Sequence, residues 1–386
     1  MKTVHFVSHT LDFAAGGAER VLLDVLMRID RSRFDVRLVV GRDACGVPPE
    51  FEALGLPIEL LPHLHMTSSR NPSSFLRIGC ALIGSALSLF RILHRERPDV
   101  VHVNSPFALH FALAPCLLTQ TPLVYHEHGL PRSRQDSIWS IAYPWLIHRV
   151  SHTIAITDAV RAEVIGHGVS RDRITTVHNG IEAGSPPAVP TGPSRSAKQG
   201  FTIVQIANFL EWKGQDVVLE ALSPLREKVQ DARVIFYGQS KDLEYESRLR
   251  DRIAELSLCD CVEFGGYRTD LAELLPTYDC LIVASRAEPF GLVLLEGMRA
   301  GLPVVGSNAG GVPEIVTDGE NGLLFEPGDA AGLVDALQRI ANDPDLATRL
   351  VVNGRHVLET RFSLARQVEA VEAILENHGR QGASDR

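Results

Sequence analysis

Short apolar runs recur along this chain, and the stretch between each pair has the length and pattern of a helix. Residues 3–8, 36–40, 100–103, 123–126, 153–156 and 174–178 read as buried strands. Helix-like stretches separate them, 18–27 and 73–94 among these. Parallel neighbours need a crossover, and a crossover helix buries one face of the sheet, so this alternation requires a parallel sheet covered by helices. The rhythm stops at residues 184–200, which are rich in Pro, Gly and Ser, and then restarts. Residues 201–206, 233–236, 261–264, 280–284, 303–306 and 323–325 read as a second set of strands. A chain of 386 residues also exceeds what one hydrophobic core usually organises. The expectation is an α/β protein with a first domain at 1–183, a linker at 184–200 and a second domain at 201–362. A terminal helix at 363–386 packs back on the first domain.

Composition narrows the class. Apolar content of 45% is globular. The six cysteines are scattered, and Cys259 and Cys261 lie too close together and too far from another pair for a zinc site. This pattern fits a reducing compartment. The chain enters a strand at once, without the apolar core of a signal peptide, and a cytoplasmic location is expected. Charge is uneven: residues 1–183 carry a net +1 and the remainder −10. The first half has one lysine, Lys2, so its cations are arginines, and it holds 13 of the 15 histidines. Arginine forks suit phosphate and carboxylate. No nucleic-acid partner is expected. The apolar core at 78–90, flanked by Arg77 and Arg91, is too short to span a bilayer. It reads as a covering helix, with a membrane-surface helix as the alternative.

The chemistry concentrates at residues 288–314, which begin Glu-Pro-Phe-Gly-Leu and run through Gly310-Gly311 to Glu314. Seven residues separate Glu288 from Glu296. The run at 280–284 is a buried strand, and a helix opens after Gly291. Glu288 then lies in the loop leaving a strand, and Glu296 about a turn and a half into the next helix. Ligands of open α/β sheets bind at this edge, where a helix amino end offers amide donors and partial positive charge to a phosphate. Gly16-Gly17 sits in the corresponding turn after the first strand, where backbone amides can approach a ligand. No full Gly-x-Gly-x-x-Gly is present, which disfavours a nicotinamide cofactor. Lys213 follows the first strand of the second domain. His126 and His128 end a strand of the first. His-x-His without a third ligand does not make a zinc site. Asp343-Pro344-Asp345 reads as a turn and helix cap, so no metal is expected.

The 288–314 segment resembles the signature of the retaining family 4 glycosyltransferases, of the group 1 type. The resemblance also takes in Gly16-Gly17-Ala18-Glu19-Arg20, His178-Asn179-Gly180-Ile181 and Lys213-Gly214, and it covers about residues 3–360. It implies the GT-B fold: two Rossmann-like, doubly wound domains facing each other across a cleft. It implies transfer of a sugar from a nucleotide diphosphate sugar, a UDP-sugar or GDP-sugar, to a hydroxyl of a glycan or lipid-linked acceptor. The setting implied is cell-surface polysaccharide or lipid-linked glycan synthesis, with peripheral contact at the inner membrane. Glu288 would contact the donor sugar and Glu296 the ribose. Lys213 and the amides of Phe290, Gly291 and Leu292 would hold the diphosphate. Gly16, Gly17 and His128 would lie near the reacting centre, with His126 as the alternative histidine. Asn208 stands where relatives often have arginine, so a neutral donor replaces a fixed charge. The acceptor loops would be 63–70 and 129–135. A nucleotide-sugar 2-epimerase and a non-catalytic sugar-nucleotide-binding subunit are the alternatives.

Overall fold

The computed structural model describes residues 1–13, 17–42, 46–62, 72–130, 141–184 and 200–379, with 72–76 described by backbone alone. Gly16, the acceptor-loop residues 63–70 and 131–135, and 185–199 of the linker lie outside the described residues. The chain divides into two compact units, Met1–Asn179 with Leu364–Arg386, and Gly180–Ser363.

The first unit runs β1 (Lys2–Ser8), α1 (Gly17–Arg28), β2 (Phe34–Gly41), α2 (Pro49–Glu52), β3 (Ile58–Leu61), α3 (Pro72–Glu96), β4 (Val100–Val103), α4 (Pro106–Leu118), β5 (Leu123–Glu127), α5 (Tyr143–Ile147), β6 (His152–Ala155), α6 (Asp158–Gly166) and β7 (Ile174–Thr176). All strands pair in parallel, in the order β3-β2-β1-β4-β5-β6-β7. The order reverses between β1 and β4, and this is where such a sheet opens a crevice at its carboxyl edge. Valines, leucines and isoleucines fill the strands because both faces are covered. β3 was not expected. It is a four-residue edge strand with Leu60 45% exposed, so it lacks the continuous apolar run that marks a central strand.

The second unit runs β8 (Thr202–Ile206), α7 (Gln215–Lys228), β9 (Arg233–Tyr237), α8 (Leu243–Glu255), β10 (Val262–Gly266), α9 (Leu271–Leu274), β11 (Cys280–Val283), α10 (Leu292–Arg299), β12 (Val304–Ser307), α11 (Val312–Ile315), β13 (Leu323–Phe325), α12 (Ala330–Asn342) and α13 (Pro344–Thr360). Its parallel order, β10-β9-β8-β11-β12-β13, reverses between β8 and β11. One face of this sheet packs Ile203, Phe236 and Ile282 against Val218, Leu222, Leu333 and Leu337. Asp343 caps α13, accepting from the Leu346 N–H at 2.9 Å, with Pro344 at the first helical position.

The boundary after the first sheet falls four residues earlier than expected, at Asn179. The physical reason is pairing. Ile181 donates to the Phe362 carbonyl at 3.0 Å, and the Arg355 guanidinium holds the carbonyls of Ala183 and Gly184 at 2.6 Å each. These contacts bind residues 181–184 to α13 and its exit. The final helix, α14 (Leu364–His378), is part of the first unit. Its Val371 and Leu375 join the core formed by Phe6, Leu22, Leu26 and Leu38. Glu372 accepts from the Asp30 N–H at 2.7 Å and from Arg33 at 2.8 Å.

Candidate active site

In the second unit the expected residues gather at the reversal point. Asn208 and Lys213 follow β8, and the loop from Ser285 to Gly291 follows β11, its neighbour in the sheet. Gly291 adopts φ 101°, ψ 47° at the cap position of α10 and, being glycine, brings no capping side chain of its own. Only glycine takes this conformation cheaply. The helix therefore presents its amino end to the loop without a side chain from its cap residue. Phe290 is buried against Phe362, with ring centroids 6.0 Å apart. Leu292 begins α10, and Glu296, partly buried, lies one turn further on.

Lys213 and Glu288, expected as separate ligand contacts, are paired with each other. The ammonium nitrogen lies 2.7 Å from Glu288 Oε2, and the Ser285 hydroxyl donates to the same oxygen at 2.8 Å. Lys213 also stands over the Trp212 ring at 4.1 Å. Glu288 is 8% exposed, so its charge requires this partner. The backbone fixes both ends of the pair. Gln205 holds the Lys213 carbonyl at 2.8 Å, and the Gly311 N–H donates to the Glu288 carbonyl at 2.8 Å. A Cβ at Gly214 would meet the Ala284 carbonyl oxygen at 2.0 Å, and one at Gly310 would meet that of Glu288 at 2.1 Å. Gly310-Gly311 is thus a close-approach loop, and the backbone it approaches is that of Glu288.

Asn208 spends its side-chain oxygen on the Gln239 N–H at 3.1 Å, which leaves the amide NH₂ as the group able to donate to a ligand. A neighbouring arginine, missed in the sequence, is Arg286. It donates to the Glu211 carbonyl at 2.6 Å and to Asp216 at 3.0 and 2.5 Å, tying the β11 loop to the turn that carries Lys213. The Asp216 carboxyl is held below its ordinary range by the hydrogen bond and charge of Arg286, which outweigh its burial.

In the first unit the corresponding edge brings together His9 after β1, Gly17 at the start of α1, Asn104 and Ser105 after β4, and His128 after β5. His128 Nε2 is 3.0 Å from Asn104 Oδ1, and its ring lies 4.1 Å from that of His126. His126 is 1% exposed and its Nε2 has no hydrogen-bond partner. Burial holds its pKa well below the usual histidine value, and the charges of His128 and His102 add to that. His128, half-buried, is therefore the better placed of the two to meet a ligand. Ser105 caps α4 through the Ala108 N–H at 3.1 Å and contacts His9 Nδ1 at 2.8 Å. Neither His9 nor Asn104 belongs to a run or motif that marked it in the sequence. Among the described residues, no group of three or more His, Cys, Asp or Glu is placed to hold a metal ion.

Glu19, in the first turn of α1, is 3% exposed. Burial pushes its carboxyl up from 4.5 to about 7, and the charge of Asp12 adds to that. The folded state therefore keeps a proton that the unfolded chain releases near pH 4.5, so stability falls as pH rises between these values. Replacing Glu19 by Gln is expected to change nothing below pH 4.5 and to add about 3 kcal/mol by pH 8. Thermal melts across that range check this, and a gain that did not grow with pH would contradict it.

The fold sets these residues at the carboxyl edges of two parallel α/β sheets, and comparison with known proteins gives the class. Residues 15–184 match the family model described as Glycosyltransferase Family 4, and 192–357 that of Glycosyl transferases group 1. A glycogen synthase of Mycobacterium tuberculosis is 29% identical over 303 residues, 74% of this chain and 71% of the relative. The lipopolysaccharide core biosynthesis glycosyltransferase LpsD of Rhizobium meliloti is 31% identical over 214 residues, 55% of this chain and 60% of the relative. Among solved structures, Anabaena Alr3699/HepE in complex with UDP and glucose superposes with a TM-score of 0.82 at 24% identity, covering 97% of this chain and 100% of that one. The chain is a group 1 glycosyltransferase with two Rossmann-like domains of the GT-B class. The isomerase and binding-subunit alternatives fall away with that assignment.

Proposed function

We propose that this transferase takes its sugar from a nucleotide diphosphate sugar, a UDP-sugar in preference to a GDP-sugar, and passes it to an acceptor hydroxyl with retention of anomeric configuration. The observation that carries this reading is the Lys213–Glu288 pair beside the glycine-capped amino end of α10. An arriving diphosphate competes with Glu288 for the ammonium and takes the amides around Phe290, Gly291 and Leu292. Glu288, released, accepts hydrogen bonds from sugar hydroxyls, and Glu296 from the ribose. Asn208 donates one neutral hydrogen bond. Charge building on the departing diphosphate is stabilised by Lys213 and the helix end, with no metal required. The leaving oxygen takes the acceptor's proton in a front-face attack. Gly16, Gly17 and His128 of the first unit serve the sugar and acceptor. HepE, whose complexes contain UDP, UDP-glucose and glucose, supports the choice of base.

Thermal shift against UDP-, GDP- and ADP-glucose tests the donor. A ligand at a hundred times its Kd adds about 2.7 kcal/mol, so the UDP-sugar is expected to raise Tm and the others to do so less. No shift with any of the three would sink the reading.

A cell-surface polysaccharide or lipid-linked glycan as acceptor is supported by relatives named for lipopolysaccharide core biosynthesis. The location that goes with it is the cytoplasmic face of the membrane. Helix α3 supports this: against the expectation that its apolar run is too short, residues 77–96 are long and apolar enough to cross a membrane, and Ile83 is 64% and Leu87 52% exposed. Ile83→Glu with Leu87→Glu is expected to reduce co-sedimentation with anionic vesicles severalfold without changing turnover of a soluble acceptor. Unchanged sedimentation would remove the membrane from the account.

A further inference from the structure

Asn104 joins two parts of the first unit that the sequence presents as unrelated. It follows β4 directly and is 1% exposed. Its own N–H donates to the Val7 carbonyl at 2.9 Å, so its backbone is fixed to β1. Its side chain reaches Ala18, in the first turn of α1 next to Gly17, and His128 at the end of β5. Nδ2 is 3.1 Å from the Ala18 carbonyl oxygen and Oδ1 is 3.0 Å from His128 Nε2.

The chemistry of these groups fixes the protons. A backbone carbonyl only accepts, so the NH₂ end of the amide must face Ala18. The oxygen end then faces His128, and an amide oxygen only accepts. Nε2 of His128 must therefore carry hydrogen, and in the neutral ring Nδ1 is the nitrogen with the lone pair. One buried amide thus sets a tautomer and ties it to the glycine turn.

We propose that Asn104 is a positioning residue for sugar transfer: by holding His128 in the Nε2–H tautomer it makes Nδ1 the nitrogen that accepts a hydroxyl hydrogen from the bound sugar or acceptor. This rests on the reading that His128 serves the reacting centre. The titratable neighbours are His126 on β5, with its ring 4.1 Å from that of His128, and His102 on β4, whose ring is 5.4 Å from that of His126. On β5, Glu127 accepts from the hydroxyls of Tyr125 and Tyr143 at 2.8 Å each and from the Gly129 N–H. On α1 the nearest in sequence is Glu19, and after β1 it is His9, which contacts Ser105.

The direct test is the tautomer in the intact protein. In enzyme labelled with ¹⁵N histidine, the His128 signals, assigned by their loss in His128→Gln, are expected to show a protonated Nε2 and a bare Nδ1 at pH 7.5. An Nδ1–H tautomer would overturn the proposal. Kinetics supply the second test. Asn104→Ala is expected to lower kcat/KM about 10- to 100-fold while UDP affinity stays unchanged, and to add little in a His128→Ala background. In Asn104→Asp a carboxylate faces Nε2–H and favours the imidazolium, so the acid limb of the rate profile should move up by about one unit or more. The profile is repeated with Glu19→Gln so that the titration of Glu19 is not mistaken for that of His128. Independent effects of the two alanines and an unmoved limb would overturn the role of Asn104 alone. Full activity in His128→Ala would overturn the reading beneath it.

Discussion

Replacing Lys213 by Ala is expected to lower kcat/KM by about 10²- to 10³-fold, the loss that follows when one preorganised group at a developing charge is removed. The ammonium is fixed before any ligand arrives. Gln205 holds its backbone carbonyl, Trp212 lies under its charge, and Glu288 holds it at 2.7 Å. Little reorganisation is then needed when the diphosphate replaces the carboxylate. Affinity for UDP should fall as well, since in the proposed site both the ground state and the departing diphosphate use the cation. Arginine at this position keeps the charge in a different geometry and should retain part of the activity. The variant also strands the Glu288 carboxylate at 8% exposure, so a thermal melt must accompany the kinetics. If Lys213→Ala folds normally and transfers sugar at the parent rate, the ammonium has no part in the reaction.

The second large effect is acid lability confined to the first unit. His5, His102, His126 and His152 are buried on β1, β4, β5 and β6, and each has at least one ring nitrogen without a hydrogen-bond partner. Burial lowers His5 and His152 to about 4 and His102 to about 3, and holds His126 well below the ordinary 6.5. Glu96, 3.2 Å from His5 Nε2, opposes this and is outweighed. For a base lowered in the fold, the unfolded chain binds the extra proton, so stability is lost as pH falls below 6.5. At pH 5 His5 and His102 alone cost about 4 kcal/mol, close to the whole stability of a marginal domain, and His126 and His152 add to that. The second unit holds one histidine, His356, and should outlast the first. Hydrogen exchange at pH 5 is expected to show protection lost in β1, β4 and β5 while β8 and β11 keep theirs. His102→Phe, placing an apolar ring beside Phe6, should move the acid transition lower. Equal protection in both units at pH 5 would contradict the prediction.

Much of the fold was legible because parallel strands buried on both faces are rich in apolar residues: β11 is apolar throughout, and residues 4–7 of β1 and 203–206 of β8 are interrupted by one polar residue each, His5 and Gln205. β3 escaped because an edge strand of four residues has no such run. In the site, Glu288, Gly291 and Lys213 were legible as residue types at the ends of strands. Their mutual arrangement was not, because the partners of the ion pair lie 75 positions apart and the β8–β11 pairing brings them together. Asn104 was invisible for a related reason. It is one amide after one strand, and its meaning lies in Ala18 and His128, which reach it from β1's and β5's ends of the sheet. The close approach that Gly310 allows is to the Glu288 backbone, a packing relation that no spacing encodes.

The central claim is that the amino end of α10 and the Lys213–Glu288 pair together receive the diphosphate. A crystal structure of the protein with UDP bound tests it most directly. The account predicts phosphate oxygens against the amides around Gly291, with the Lys213 ammonium moved from Glu288 onto the diphosphate. UDP seated elsewhere, with the Lys213–Glu288 ion pair intact at 2.7 Å, would contradict it.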